Sequence, residues 1–207
     1  MKTAIIATFK IEQVSFVTKK IAKTPTITSC KVVAQSRLFR IEQLDITFNN
    51  GVEVIYERLK GSSRGGVLVV ALQNDNSVLM VREYGVGVEG YELMFPKGRI
   101  ENDEPIEDAA NRELQEEVGF AARKLTLVKS ITLAPGYMGH LTHIVLAEDL
   151  YPAILEGDEP EPLEVVSWDL DKIDELAMQT DVTEARTIAA AYIIKALIEQ
   201  RRATAAI

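Results

Sequence analysis

The chain is poor in the residues that build disulfide frameworks and Cys/His metal sites. Its 207 residues include one cysteine, Cys30, and two histidines, His140 and His143. A single cysteine excludes an intramolecular disulfide, and two histidines are too few to hold a metal ion alone. We therefore expect an unpaired thiol in a reducing compartment, which favours the cytoplasm, and histidines that serve packing or face solvent.

The sequence also lacks long apolar runs and basic clusters. The apolar stretch at residues 4–9 ends at Lys10, and nothing approaches the roughly 18 apolar residues that span a bilayer. Lysine and arginine number 23 against 31 aspartates and glutamates, for a formal net charge of −8. Such a surface repels long nucleic acid, so a phosphate-bearing ligand must meet a metal ion or a few placed cations. We expect no membrane anchor and no long nucleic acid as partner.

The sequence does contain enough apolar residues for one compact domain. Hydrophobic residues make up 47% of the chain, and this length suits one α/β or α+β domain with an added N-terminal element. Residues 1–24 show no clear period, and we interpret them as an N-terminal extension. The main domain is predicted over residues 25–204.

Alternating apolar residues predict a largely antiparallel set of strands. Residues 44–56 alternate around Asn50-Gly51, which is the strongest short-range signal for a β-hairpin. A second hairpin is predicted at 66–72 and 78–81, and further strands at 125–133, 142–146 and 165–168. An acidic, proline-containing loop fills 151–162. A long amphipathic helix follows Asp181, with Thr183 as its predicted N-cap.

A helix with an unusual charge distribution is predicted at residues 106–118, because Pro105 suits a first helical turn and Gly119 ends a helix. At about 100° per residue, one arc that should face the core is formed by Ile106, Ala110, Leu114 and Val118. Glu113 and Glu117 fall inside this arc rather than opposite it. Carboxylates four residues apart repel each other, and partial burial adds a larger cost.

Two interpretations of these glutamates are open. The first is a solvated acidic helix end, but Asp108, Asn111 and Gln115 already supply a solvent face. The second is a divalent cation, bound through oxygen as magnesium usually is, that compensates Glu113, Glu117 and the neighbouring Glu116. The second interpretation explains why the charges lie on the apolar side.

The spacing around this helix matches a known motif. Gly98 is followed by five residues, Glu104, seven residues, and then Arg112-Glu113-Leu114-Gln115-Glu116-Glu117-Val118-Gly119-Phe120. This segment resembles the Nudix box at every fixed position. The resemblance implies an α/β fold, the Nudix α/β/α sandwich with a mixed sheet, preceded here by an N-terminal antiparallel hairpin. It also implies metal-dependent hydrolysis of a nucleoside diphosphate linked to another moiety.

Segments outside the box are similar to one group of Nudix enzymes, the ADP-compounds hydrolases of the NudE type. They include Tyr56-Glu57-Arg58, Arg82-Glu83-Tyr84, Tyr91-Glu92-Leu93 and residues 155–163. This resemblance implies hydrolysis of ADP-ribose, diadenosine polyphosphates such as Ap3A, and NADH, with release of AMP. It further implies Mg²⁺, or Mn²⁺, as cofactor, and a homodimer whose N-terminal strands cross to the partner.

The resemblance assigns candidate site residues. The motif's metal ligands match Glu113, Glu116, Glu117 and the backbone carbonyl of Lys97. Arg112 matches the residue that orients these glutamates.

A general base must take the proton of the attacking water. In related ADP-ribose hydrolases it is a glutamate on a loop after the box, a position to which Glu159 lies nearest. Glu161 is the second candidate, and Glu116 could serve instead. Glu159 could also be a solvated charge in an acidic loop.

Several residues could contact the substrate. Arginine offers a bidentate fork to phosphate, and the cations near the box are Arg58, Arg82, Lys97 and Arg99. Glu92 could bond a ribose, and Tyr84 or Tyr91 could stack on adenine, although aromatic residues at strand spacing are more often core. Each of these cations could equally be a solvated charge or a surface ion pair.

Two rival functions follow from the same motif. One is a Nudix pyrophosphohydrolase that acts on nucleoside triphosphates or an RNA cap, although the negative charge argues against long RNA. The other is a Nudix-like module that senses a nucleotide without chemistry. Such modules usually lose glutamates of the box, and this chain keeps them all.

Overall fold

Strands dominate the part of the chain that the computed structural model describes, which is residues 23–61, 64–74, 76–101 and 103–205. The predicted extension at residues 1–24 therefore lies outside the described residues, except for its last two positions. The strands are β1 (Thr26–Gln35), β2 (Arg40–Thr47), β3 (Glu53–Leu59), β4 (Gly66–Leu72), β5 (Ser77–Gly85), β6 (Gly90–Met94), β7 (Lys97–Arg99), β8 (Phe120–Thr132), β9 (Leu141–Pro152) and β10 (Glu164–Asp169). The helices are α1 (Ile106–Glu117), α2 (Ile173–Leu176), which follows a 3₁₀ turn at Leu170–Lys172, and α3 (Ala185–Ala205).

Strands β1, β2 and β3 form a separate antiparallel sheet. The predicted hairpin is confirmed, since β2 and β3 are joined through Gly51, whose φ is 82°. Glycine adopts this left-handed conformation without the steric penalty of a side chain. Every residue of β1 is exposed. Apolar and polar residues alternate along a strand when only one of its faces is buried. Neither face of β1 is buried, so its sequence shows no such alternation.

The larger sheet has seven strands in the order β10-β5-β4-β9-β8, with β6 paired to β5 and β7 paired to β4. Strands β4 and β9 run parallel, and the other described pairs are antiparallel, so the predicted mixed sheet is confirmed. The predicted strand at 125–133 begins earlier, at Phe120. Gly119, with φ 78°, turns the chain directly from α1 into this strand.

Alternate residues of the central strands enter two different cores. One core, on the α3 side, includes Leu68, Val70, Met80, Ile144, Leu146 and Ile194. The other, on the α1 side, includes Val67, Val69, Leu79, Val81, Val145 and Leu114. A sheet buried on both faces needs a helical layer on each, which is the predicted α/β/α sandwich.

Helix α1 confirms the predicted arc. Its buried residues are Ala109, Ala110, Glu113, Leu114 and Glu117, and the two glutamates are each only 7% exposed. The arc buries its carboxylates together with its apolar side chains. Both acidic groups therefore lie where water solvates them poorly.

The predicted N-cap of the long C-terminal helix is wrong. Helix α3 begins at Ala185, and the Glu184 carboxylate accepts from the backbone N–H of Thr187 at 2.9 Å. Thr183 instead donates through its backbone N–H and hydroxyl to the buried Glu92, at 2.7 and 2.9 Å. The local pattern favours Thr183 as a cap, but its hydrogen bonds go to the carboxylate of Glu92, which is distant in sequence. No described helix is both long and apolar enough to cross a membrane.

Candidate active site

The short strand β7 lies against the C-terminal half of α1. The backbone N–H of Lys97 donates to Glu117 Oε2 at 3.2 Å. A Cβ built on Gly98 would overlap the carboxylate of Glu113, so a side chain at this position would displace that carboxylate. The first residue of the Nudix box therefore leaves space for Glu113, the first of the three candidate metal-binding glutamates.

Arg112 connects the loop before α1 to the glutamates on it. Its Nε and Nη2 donate to the two carboxylate oxygens of Glu104, at 2.9 and 3.2 Å. Its Nη1 donates to Glu113 and Glu116, at 2.8 Å each, and Nη2 also reaches the carbonyl of Arg99 at 2.9 Å. All three guanidinium nitrogens are thus used. The hydrogen bond from Arg112 lowers the pKa of Glu104.

The buried glutamates of α1 are short of positive charge. Burial raises the pKa of Glu117 to about 8, against the opposing charge of Lys97, and nearby Glu113 and Glu83 add to the rise. Burial also raises the pKa of Glu113, although Arg112 opposes this. Deprotonated carboxylates in such a place need further cationic compensation.

The amine of Lys97 forms an ion pair with Glu83, a residue that the sequence did not single out. Glu83 lies two positions after Val81, and Val81 belongs to the core on the α1 side. Side chains alternate along a strand, so Glu83 points to the same face of the sheet as α1. This period of two was the signal that could have found it.

A cleft of about 820 Å³ opens between β7, α1 and residues 156–160 of the loop between β9 and β10. Of the predicted site residues it brings together Lys97, Arg99, Arg112, Glu113, Glu116, Glu117 and Glu159. The loop is far from the box in sequence, and the fold brings it opposite α1. The carboxylates of Glu159 and Glu113 are close enough for Glu159 to raise the pKa of Glu113, after burial and the charge of Glu116.

The cleft contains the oxygen donors that a hard divalent cation prefers. Within the described ranges, however, no three His, Cys, Asp or Glu side chains are already arranged around a common ion position. The reason is visible at Arg112, whose Nη1 stands between the carboxylates of Glu113 and Glu116. The donor set fits a metal ion, and in this structure an arginine supplies part of the compensating charge.

Three predicted substrate contacts do not line the cleft. Arg58 lies in the N-terminal sheet, where it donates to Glu42 at 3.0 and 2.9 Å. Arg82 pairs with Glu164 at 3.0 Å and with Asp181, because its strand parity directs it to the α3 side. Glu92 is buried and bonded to Thr183, as described above. Their proposed contacts with substrate stay predictions.

The remaining polar candidates have structural partners. His143 shares a 2.8 Å hydrogen bond with the Ser130 hydroxyl and a 3.1 Å contact with the carbonyl of Arg64, in keeping with the expected packing role. Tyr84 and Tyr91 meet edge to face, with ring centroids 5.5 Å apart. Both rings are about half exposed, at 49% and 51%.

Comparison with known proteins decides the family. The sequence model of the NUDIX domain matches residues 62–192, and that of the NudE-type Nudix hydrolase N-terminal domain matches residues 25–58. This chain belongs to the Nudix hydrolase family. The two matches meet between β3 and β4, where the small sheet gives way to the larger one.

Relatives of this Nudix hydrolase include enzymes named for ADP-linked substrates. The chain is 46% identical to the ADP compounds hydrolase NudE of Escherichia coli, over 85% of this chain and 94% of that protein. It is 30% identical to the ADP-ribose pyrophosphatase of Bacillus subtilis, over 81% of this chain and 91% of that protein. A crystal structure of an ADP compounds hydrolase matches with a TM-score of 0.81 and 44% identity, over 88% of this chain and 98% of that one. The protein is a Nudix pyrophosphohydrolase.

Proposed function

We propose that this Nudix enzyme hydrolyses the pyrophosphate bond of ADP-linked compounds and releases AMP. The substrates we propose are ADP-ribose, diadenosine polyphosphates such as Ap3A, and NADH. The main support is the 46% identity to an ADP compounds hydrolase over nearly the whole of both chains. The complete Nudix box, folded around one cleft, supports the same reaction class.

We propose Mg²⁺ as the cofactor, with Mn²⁺ as the alternative. Glu113, Glu116, Glu117 and the carbonyl of Lys97 would hold it, and Arg112 would orient the glutamates. The support is the burial of two carboxylates, the raised pKa of both, and the close approach of the Glu113 carboxylate to Gly98, where a Cβ would displace it. Bound there, a divalent cation lowers the pKa of a water molecule and neutralises charge on the phosphate oxygens.

The general base we propose is Glu159, which would accept the proton of the attacking water. Glu159 lines the cleft opposite α1 and is partly buried. Glu116 lines the same cleft, but its carboxylate already accepts a hydrogen bond from Arg112 at 2.8 Å. Comparing Glu159→Gln with Glu116→Gln across pH tests this choice. Loss of the low-pH limb of the kcat profile, in which kcat rises as the base deprotonates, in Glu159→Gln alone supports it.

Arg99 is the cation we propose for the substrate's phosphates. Its side chain is exposed in the cleft and has no hydrogen-bond or ion-pair partner among the residues that the structure describes. Lys97, by contrast, is already paired with Glu83. An arginine without a carboxylate partner keeps its fork available for phosphate.

A homodimer in the cytoplasm is the state we propose. The N-terminal sheet exposes large apolar side chains, among them Ile27, Val32 and Ile55. Exposed apolar side chains on strands with open edges are typical of surfaces that another chain covers. Light scattering at micromolar concentration tests this proposal, and a monomer would contradict it.

The substrate proposal is tested by product analysis. The enzyme is incubated with ADP-ribose, Ap3A or NADH in Mg²⁺, and the products are separated by chromatography. The expected result is AMP from each substrate and no pyrophosphate from a nucleoside triphosphate. Faster release of pyrophosphate from a nucleoside triphosphate than of AMP from any of the three would overturn the proposal.

A further inference from the structure

The loop between β9 and β10 (residues 153–163, the β9–β10 loop) forms one wall of the cleft. Its N-terminal end is attached by backbone hydrogen bonds to α1 and to Gly119, which follows that helix. Ala153 donates to the carbonyl of Gly119 at 3.1 Å, and Leu155 donates to that of Gln115 at 3.3 Å. This end of the loop is therefore fixed to the same helix that presents the glutamates.

The C-terminal end of the loop is attached through side chains. The hydroxyl of Tyr91, in β6, donates to Glu161 Oε1 at 2.6 Å. This bond raises the pKa of Tyr91, because the carboxylate accepts the phenolic proton. Tyr91 is itself held in the β5–β6 hairpin, where it is paired with Tyr84 and stacks edge to face on its ring. The loop end is thus tied to the β5–β6 hairpin.

Between these attachments lies the segment that faces the cleft. Residues 156–160 make no hydrogen bond to the rest of the described chain, and they include Glu159. Pro160 and Pro162 flank Glu161 and restrict the backbone on both sides of it. A constraint applied at Glu161 therefore reaches Glu159 through few free torsions.

We propose that Tyr91 is a positioning residue, whose hydrogen bond to Glu161 fixes the β9–β10 loop and directs Glu159 into the cleft. The inference rests on the proposed role of Glu159 as general base. It also separates Glu159 from Glu161, two of the three glutamates that the sequence left as candidates for the base. Glu161 anchors the loop, and Glu159 meets the reacting water.

Two substitutions at Glu161 distinguish an anchor from a base. Glu161→Gln keeps a carbonyl oxygen that accepts from the Tyr91 hydroxyl, but it cannot act as a base at any accessible pH. Glu161→Ala removes both properties. An anchor survives the first substitution and fails in the second, whereas a base fails in both.

The experiment measures steady-state kinetics on ADP-ribose in Mg²⁺ together with hydrogen exchange of the loop amides in the full chain. Tyr91→Phe removes only the hydroxyl and keeps the ring stacked on Tyr84. Loss of one hydrogen bond to an exposed carboxylate should lower kcat by about fivefold, with little change in KM. Exchange at the amide of Leu155, which donates to the carbonyl of Gln115, should become faster by a similar factor.

Tyr192→Phe is the matched control. The hydroxyl of Tyr192 donates to the carboxylate of Asp174 at 2.8 Å, on the surface of α3 and away from the cleft. This variant loses the same type of bond, and it should keep wild-type kcat and loop exchange. The double variant of Tyr91→Phe and Glu161→Ala should be no slower than either single variant, because both break one bond.

The outcomes separate this inference from the proposed function. If Tyr91→Phe kept the wild-type kcat and the wild-type rate of loop exchange, the positioning role would be overturned. Glu161→Gln as inactive as Glu161→Ala would identify Glu161 as the base and also overturn it. If Glu159→Gln stayed active while loop exchange still responded to Tyr91→Phe, the proposed base would be wrong and the anchor would stand as a loop attachment only.

Discussion

The backbone of Gly98 lies so close to Glu113 that a Cβ on residue 98 would occupy the position of its carboxylate. Gly98→Ala should therefore displace Glu113 and lower kcat/KM by about a hundredfold, the cost of misplacing a catalytic group by an ångström. Gly87→Ala is the control, because a Cβ at residue 87 meets no atom within 4 Å. Equal activity in the two variants would show that the Glu113 position does not matter.

Glu117→Gln should remove most turnover and leave the fold intact. The substitution keeps the shape of a side chain that is 7% exposed, and it removes one carboxylate charge from the proposed metal ligands. We expect kcat to fall by about a hundredfold or more. The kinetics are measured over a range of Mg²⁺ concentrations, with circular dichroism to check folding. Turnover near the wild-type rate would exclude Glu117 as a ligand.

Arg112→Lys should reduce both stability and rate. Lysine has one nitrogen, and it cannot donate to Glu104, Glu113 and Glu116 in the geometry that the guanidinium provides. Partly buried carboxylates left without a donor should cost about 1–3 kcal/mol of unfolding free energy. Urea denaturation measures this loss. Arg123→Lys, at an exposed pair with Asp149, should stay within about 0.5 kcal/mol of wild type.

Arg99→Ala should weaken substrate binding without a loss of stability. No described residue pairs with its side chain, so its removal leaves no unsatisfied partner in the protein. We expect KM for ADP-ribose to rise by about tenfold, as for loss of one charge-assisted contact. Arg123→Ala, which lies outside the cleft, is the matched charge control. An unchanged KM would remove Arg99 from the substrate site.

The pair of Arg82 and Asp181 makes part of the stability depend on acid pH. The hydrogen bond from Arg82 lowers the pKa of Asp181 below its usual value near 3.8. This stabilisation is therefore present above pH 3.8 and is lost as the pH falls through the lower native value. Asp181→Asn should cost about 0.5–1 kcal/mol at pH 7, since the pair is partly exposed. The difference from wild type should shrink progressively as urea titrations are taken below pH 3.8. A constant difference across that range would contradict the assignment.

The sequence predicted those structural elements that are determined by residues close to one another in the chain. The Asn50-Gly51 hairpin depends on a left-handed glycine, and α1 depends on a periodic arc between Pro105 and Gly119. Burial of Glu113 and Glu117 followed from the same arc, before any partner was known. These features need only neighbouring residues and standard geometry to be inferred.

Other parts of the site depend on partners far away in the chain. Arg82 in β5 pairs with Asp181, and Glu92 in β6 accepts from Thr183. Both partners lie in the segment just before α3, about 90 or more residues later in the chain. No spacing rule predicts such pairs from the sequence. Arg82 and Glu92 were therefore predicted as substrate contacts, because their structural partners could not be inferred. Strands β6 and β7 were not predicted either, because each is too short to show a period.

The parallel pairing of β4 with β9 has a consequence for folding kinetics. Its register joins Gly66 to Thr142, and β5, β6, β7, α1 and β8 all lie between the two strands in sequence. Closing so long a segment costs chain entropy before the contacts form, and non-local pairing is slow for that reason. Refolding intermediates should therefore protect the amides of the β8–β9 hairpin before those of β4. The cleft would then be completed late, only after the chain on either side of α1 has been brought together.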